Sequence, residues 1–89
     1  MISEPVKVIN KLGLHARAAT KLVNCASGFE SNINVARGAR KVNAKSIMGV
    51  LTLAAAAGTE LTIEAGGPDE AEAMQAVTRL FLDYFGEGE

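Results

Sequence analysis

The chain has one cysteine, one histidine and no tryptophan among its 89 residues. A lone Cys25 excludes an internal disulfide, and a single histidine, His15, leaves no cluster of metal ligands, so neither a metal nor another cofactor is expected. Cys25 reads as a small buried or half-buried helix residue rather than a reactive thiol. Surplus charge is missing as well: nine Lys and Arg against ten Asp and Glu give a formal net charge of −1. That balance offers no bulk attraction to nucleic acid or to an anionic membrane, and the sequence has no basic patch interleaved with aromatics. Any anion site must therefore be local.

Long apolar runs are absent too. The most apolar stretch, Ile47 to Ala57, is interrupted by Gly49 and Thr52 and is too short to cross a bilayer. Met1-Ile2-Ser3-Glu4-Pro5 lacks the basic and then apolar regions of a secretory signal, so the expectation is a cytoplasmic protein with no nucleic-acid or membrane partner. With 48% apolar residues and no linker or repeat, residues 1–89 are expected to form a single domain. A domain of this size buries only ~60% of its unfolded surface, which leaves little room for a deep, enclosed site.

What is present is a clear alternation of patterns. Val6-Lys7-Val8-Ile9 reads as a first strand, ended by Asn10-Lys11-Leu12-Gly13. From Ala16 to Ser27, the residues Ala18, Ala19, Leu22, Val23 and Ala26 recur at helical spacing and Gly28 closes the helix, whose other face carries Arg17, Thr20, Lys21 and Asn24. Alternation over Ser31 to Arg37 predicts a second strand, and Arg37-Gly38-Ala39-Arg40 a hairpin into a short third strand, Lys41-Val42-Asn43. Ser46 is placed to cap a short helix over Ile47 to Leu53. Leu61, Ile63 and Ala65 point one way and Glu60, Thr62 and Glu64 the other, which makes a fourth strand.

Gly66-Gly67-Pro68 breaks it, and Asp69 with Glu72 three residues on resembles a capping box for a last helix. The stripe of that helix is Ala73, Val77, Leu80, Phe81 and Tyr84, with Gly86 beyond its end. The order βαββαβα with half-apolar strands predicts an α+β fold: an antiparallel sheet with its helices on one face and its other face free to meet solvent.

His15 carries the chemistry. It stands just before the first turn of the first helix, where backbone N–H groups lack intrahelical partners and the helix dipole favours an incoming anion such as a phosphoryl group. A neutral imidazole has the lone pair a nucleophile needs, Arg17 can offer a fork of donors to phosphoryl oxygens, and Gly13 lets the preceding loop turn tightly. On spacing alone, His15 reads first as a capping or surface residue and Arg17 as a solvated helix charge.

Three blocks change that weighting. Asn10-Lys11-Leu12-Gly13-Leu14-His15-Ala16-Arg17-Ala18-Ala19 closely resembles the active-site segment of the histidine-containing phosphocarrier proteins, the HPr family. Ala44-Lys45-Ser46-Ile47-Met48-Gly49-Val50-Leu51 and Glu64-Ala65-Gly66-Gly67-Pro68-Asp69-Glu70 continue the resemblance, in order, over most of the chain. The resemblance implies an open-faced sandwich, a four-stranded antiparallel sheet covered on one face by three helices. It also implies that His15 accepts a phosphoryl group on Nδ1 from phospho-Enzyme I, with Arg17 as charge partner, and passes it to a IIA-type acceptor. Such a protein is a carrier and not an enzyme. Many family members have proline after the arginine where this chain has Ala18, a departure that bears on the branch of the family rather than on the chemistry.

Ser46 needs no role beyond capping a helix, but its context resembles the segment that a dedicated kinase, HPr kinase/phosphorylase, phosphorylates in regulated members of the family. Ile47, Met48 and Leu51 lie on one side of the short helix, either as core or as a patch that docks Enzyme I; Thr20, Lys21 and Asn24 are further candidates for partner binding. A phosphate on Ser46 would suit the helix start and would repel an acidic partner. The chain is expected to be a monomer. The alternative is a regulatory binding module whose phosphorylation state at His15 or Ser46 controls other proteins. The sugar-transport and nitrogen-related branches both remain open.

Overall fold

The computed structural model describes residues 1–86. Its elements are β1 (Ile2–Lys7), α1 (Ala16–Ser27), β2 (Asn32–Arg37), β3 (Arg40–Asn43), α2 (Ile47–Leu51), β4 (Glu60–Gly66) and α3 (Glu70–Leu82), followed by a 3-10 turn over Tyr84–Gly86. The strands form one antiparallel sheet in the order β1-β4-β2-β3. This is the α+β open-faced sandwich implied by the sequence, with the predicted element order.

Alternation decides which face of the sheet is covered. In β4, Leu61, Ile63 and Ala65 are buried, and the register sets Ile33 of β2 opposite Ala65 and Val35 opposite Ile63. Against this apolar row pack Ala18, Ala19, Leu22 and Ala26 of α1 and Ala73, Met74, Val77 and Phe81 of α3, all in one core. Each large aliphatic side chain buried there contributes about 1.5–3 kcal/mol. The apolar face of α1 is buried through Ala18, Ala19, Leu22 and Ala26, and His15 immediately precedes that helix.

Several local expectations are corrected. The first strand begins at Ile2 and ends at Lys7, four residues before its predicted start and two before its predicted end. Pro5 lies inside it because β1 is a sheet edge, where a missing N–H is tolerated. Val8 is buried outside the strand and holds the loop after α2, donating to the Thr59 carbonyl at 2.9 Å and accepting from the Gly58 amide at 2.6 Å. β3 gains Arg40, which pairs with Arg37 across the Gly38-Ala39 turn, and β2 starts at Asn32. The short helix stops at Leu51, and Ala54 turns the chain at φ 49°.

The capping box at Asp69 does not form. Asp69 makes no side-chain bond to its own helix; its carboxylate accepts from the amides of Glu30 (3.0 Å) and Ser31 (2.9 Å) and from the Ser31 hydroxyl. Those bonds hold this carboxyl below its ordinary range, the Ser31 hydroxyl having the largest effect. Glu70, not Glu72, reaches back, to the Gly67 amide at 3.1 Å, and that bond lowers its carboxyl too. Tyr84 also leaves the predicted stripe. The chain turns into the left-handed region at Tyr84 and Phe85, which buries Phe85 against Phe81 with ring centroids 4.8 Å apart and leaves Tyr84 37% exposed.

Candidate functional site

The site begins with a tight loop. Asn10 is buried after β1; its side-chain amide donates to the Gly13 carbonyl at 2.8 Å, and the Gly13 amide donates to the Asn10 carbonyl at 3.1 Å. Gly13 has φ 70° and lies directly on the backbone of residues 55–56, where a Cβ would stand 2.5 Å from the Ala55 carbonyl oxygen. Leu14 is buried, and its amide donates to that same oxygen at 2.8 Å. The chain thus reaches α1 along a supported path.

His15 is the N-cap of α1, with extended backbone at φ −76° and ψ 179°. Its carbonyl accepts the first helical bond, from the Ala19 amide at 2.8 Å, and its ring Nδ1 accepts from the Arg17 amide at 3.3 Å. The ring therefore does what a capping serine would do, with a nitrogen lone pair facing the start of the helix. At 3.3 Å this bond is at the weak end of the usual range, so it orients the ring and yields readily to a stronger acceptor. The imidazole is half-buried.

His15 lines a shallow depression together with Arg17, Lys11, Leu12, Lys21 and Gly86. Three cationic residues thus line the same depression as the imidazole, on a chain whose net charge is −1. Lys21 is also structural: its ammonium donates to the Phe85 carbonyl at 2.6 Å and ties the C-terminal turn to α1. Sequence reasoning gives neither Lys11 nor Gly86 a place in the site; Lys11 reads as an ordinary loop residue, and Gly86 arrives only through the left-handed turn before it.

The remaining candidates lie outside that depression, on the adjoining α1 and α2. Thr20 and Asn24 are exposed on α1, and the Thr20 hydroxyl donates to the Ala16 carbonyl at 2.8 Å. Ser46 is the N-cap of α2, its Oγ accepting from the Gly49 amide at 3.2 Å. Ile47 and Met48 are exposed, at 36% and 68%, while Leu51 is half-buried against the core; the predicted patch is split between surface and interior. Cys25 is half-buried, and its burial pushes the thiol up, away from a reactive thiolate. Among the described residues no helix is long and apolar enough to cross a membrane, and no group of His, Cys, Asp or Glu is placed to hold a metal ion.

Comparison with known proteins bears on this geometry. Residues 2–83 match the family described as the PTS HPr component phosphorylation site. The phosphocarrier protein HPr of Neisseria meningitidis serogroup A is 53% identical over 89 residues, all of both chains. A crystal structure of HPr from Thermoanaerobacter tengcongensis superposes with a TM-score of 0.95 at 44% identity, covering 98% of each chain. A second structure from that organism, an HPr dimer, gives 0.79 at 44% identity over 98% of this chain and 100% of the other. With a family match over nearly its whole length, full-length relatives and the same fold, the chain belongs to the HPr family, the phosphocarriers of the phosphotransferase system, which carry a phosphoryl group and are not enzymes.

Proposed function

We propose that His15 is the phosphoryl acceptor, taking the group on Nδ1 from phospho-Enzyme I and passing it to a IIA-type protein. The observation that carries this reading is the orientation of Nδ1 toward the start of α1, beside the Arg17 amide. As the donor's bond to phosphorus breaks, the Nδ1 lone pair forms the new bond, and the phosphoryl oxygens arrive where the Arg17 amide already points. A weak N–H to nitrogen bond is exchanged for a charge-assisted one, and the Arg17 guanidinium offsets the added charge. Reversal needs only a second partner at the same open face.

Ser46 is a second phosphorylation site in this reading, used by an HPr kinase/phosphorylase. Its support is position: an exposed hydroxyl at the N-cap of α2 next to the exposed Ile47 and Met48, where a phosphate suits the helix start yet places charge beside a docking patch. Incubation with labelled phosphoenolpyruvate and Enzyme I tests the carrier role. Acid-labile label is expected on the native chain and not on His15→Ala; label on both, or on neither, refutes it. For Ser46, transfer from Enzyme I to Ser46→Asp should be slower than to the native chain, and equal rates would count against regulation there.

A further inference from the structure

The loop after α2 supports the approach to His15, and something must hold that loop. Its path is irregular: Thr52 ends the helix, Ala54 stands at φ 49°, and the buried Ala55 presents its carbonyl oxygen to the Leu14 amide at 2.8 Å. A left-handed residue with a side chain costs about 1 kcal/mol or more and persists only where its surroundings fix it. The group that fixes this one comes from another element. Arg37, the last residue of β2, donates through Nη1 to the Leu53 carbonyl at 2.7 Å and to the Ala54 carbonyl at 3.3 Å. The last carbonyls of the helix already accept from the Thr52, Leu53 and Ala54 amides, so Arg37 holds the two carbonyls of the irregular loop that follows.

Arg37 pairs directly with Arg40, and like charges opposite one another destabilise a strand pair. Its binding is spent on the loop.

We propose that Arg37 is a positioning residue for phosphoryl transfer: by clamping the Leu53 and Ala54 carbonyls it fixes the Ala55 carbonyl, and through the Leu14 amide it fixes the start of α1 on which His15 sits. The proposal rests on the reading of His15 as the acceptor. With the clamp released, Ala54 can relax from its left-handed conformation, the Ala55 oxygen moves, and Gly13 and Leu14 lose the surface they lie on. The imidazole then samples orientations in which Nδ1 no longer faces the Arg17 amide. Misplacement of a reacting group by a fraction of an ångström is enough to slow transfer without altering the surface a partner binds.

Two measurements on the full chain test it, with Arg37→Ala and Arg37→Lys beside the native protein. Amide hydrogen exchange needs no phosphoryl donor, so it reports on the clamp even if His15 is not the acceptor. Loss of a charge-assisted bond predicts about tenfold faster exchange at Leu14 in Arg37→Ala, with the amides of β2 and β4 unchanged. Transfer from phospho-Enzyme I should show kcat reduced about threefold to tenfold with KM for the carrier within about twofold, and Arg37→Lys, which keeps a donor and the charge, should recover most of both losses. Unchanged Leu14 exchange, exchange that rises at every amide, or faster Leu14 exchange with native kcat would each overturn the proposal. So would a rise in KM alone, since Arg37 would then be touching the partner. Label persisting on His15→Ala would instead refute the acceptor reading, and the exchange result would stand apart from it.

Discussion

Replacing Gly13 with alanine isolates the contact on which the site is built. Two costs arise at that position. The residue has φ 70°, and placing a Cβ there costs about 1–2 kcal/mol through its contact with the backbone. The Cβ would also stand 2.5 Å from the Ala55 oxygen and 2.9 Å from the Ala56 Cα, both backbone atoms that cannot rotate aside. Relief requires the loop to move, at about 1–3 kcal/mol for overpacking, and the Leu14 to Ala55 bond, worth ~1 kcal/mol, is lost as it does. These terms overlap, because movement that removes the clash is the movement that breaks the bond; the net loss is about 2–4 kcal/mol. A domain of this size has about 4–13 kcal/mol in all, so the variant should remain folded with a much lower urea midpoint and a native-like slope. Gly38→Ala supplies the control. Gly38 has φ 59°, and a Cβ added there would meet nothing within 4 Å, so it bears the backbone cost alone, about 1–2 kcal/mol. Urea denaturation of the two variants, followed by circular dichroism, gives the difference directly. Equal losses in Gly13→Ala and Gly38→Ala would refute the close-approach argument, since the backbone term alone would then account for both.

Asp69 sets the acid limit of one tether. Its carboxyl is held below its ordinary value of 3.8 by the Ser31 hydroxyl and the Glu30 and Ser31 amides, so its contribution is complete above that ordinary value and is lost as pH falls through the lowered one. The urea midpoint of Asp69→Asn should therefore be lower than native near neutrality and fall less between pH 4 and more acid conditions; parallel curves would contradict this. Ser46→Ala removes the Oγ bond to the Gly49 amide and should cost about 1 kcal/mol in the same assay, without altering label on His15. Phe81→Ala should cost about 3–5 kcal/mol, because the ring is 2% exposed and packs edge-on against Phe85. It should also loosen the turn that Lys21 holds, read as faster exchange of the Gly86 amide.

Much of this fold was legible because its signals are local. Leu61, Ile63 and Ala65 alternate with polar residues, and Ala18, Ala19, Leu22 and Ala26 recur on one helical face, so β4 and α1 could be read residue by residue. The misreadings have a common cause. Ser3-Glu4-Pro5 looks unlike a strand until β4 is beside it, and Tyr84 continues a helical period until Phe85 finds a place against Phe81. Asp69 looks like a cap because the sequence cannot show that Ser31, 38 positions away, is a nearer partner.

The site divides along the same line. The proposed acceptor and its charge partner, His15 and Arg17, stand at the N-cap and second residue of one helix, so their chemistry can be read from a few consecutive residues. What holds the pair does not: the Ala55 oxygen under Gly13, the Phe85 carbonyl on Lys21 and the Leu53 carbonyl on Arg37 join segments from three parts of the chain. Each of these contacts ends on a backbone carbonyl, and a carbonyl carries no side-chain signature. The supporting residues were therefore hidden, while the residue they support was visible. In the proposed transfer two partners must reach the imidazole in turn, so no pocket can enclose it, and its orientation has to come from beneath, from backbone already committed to the fold.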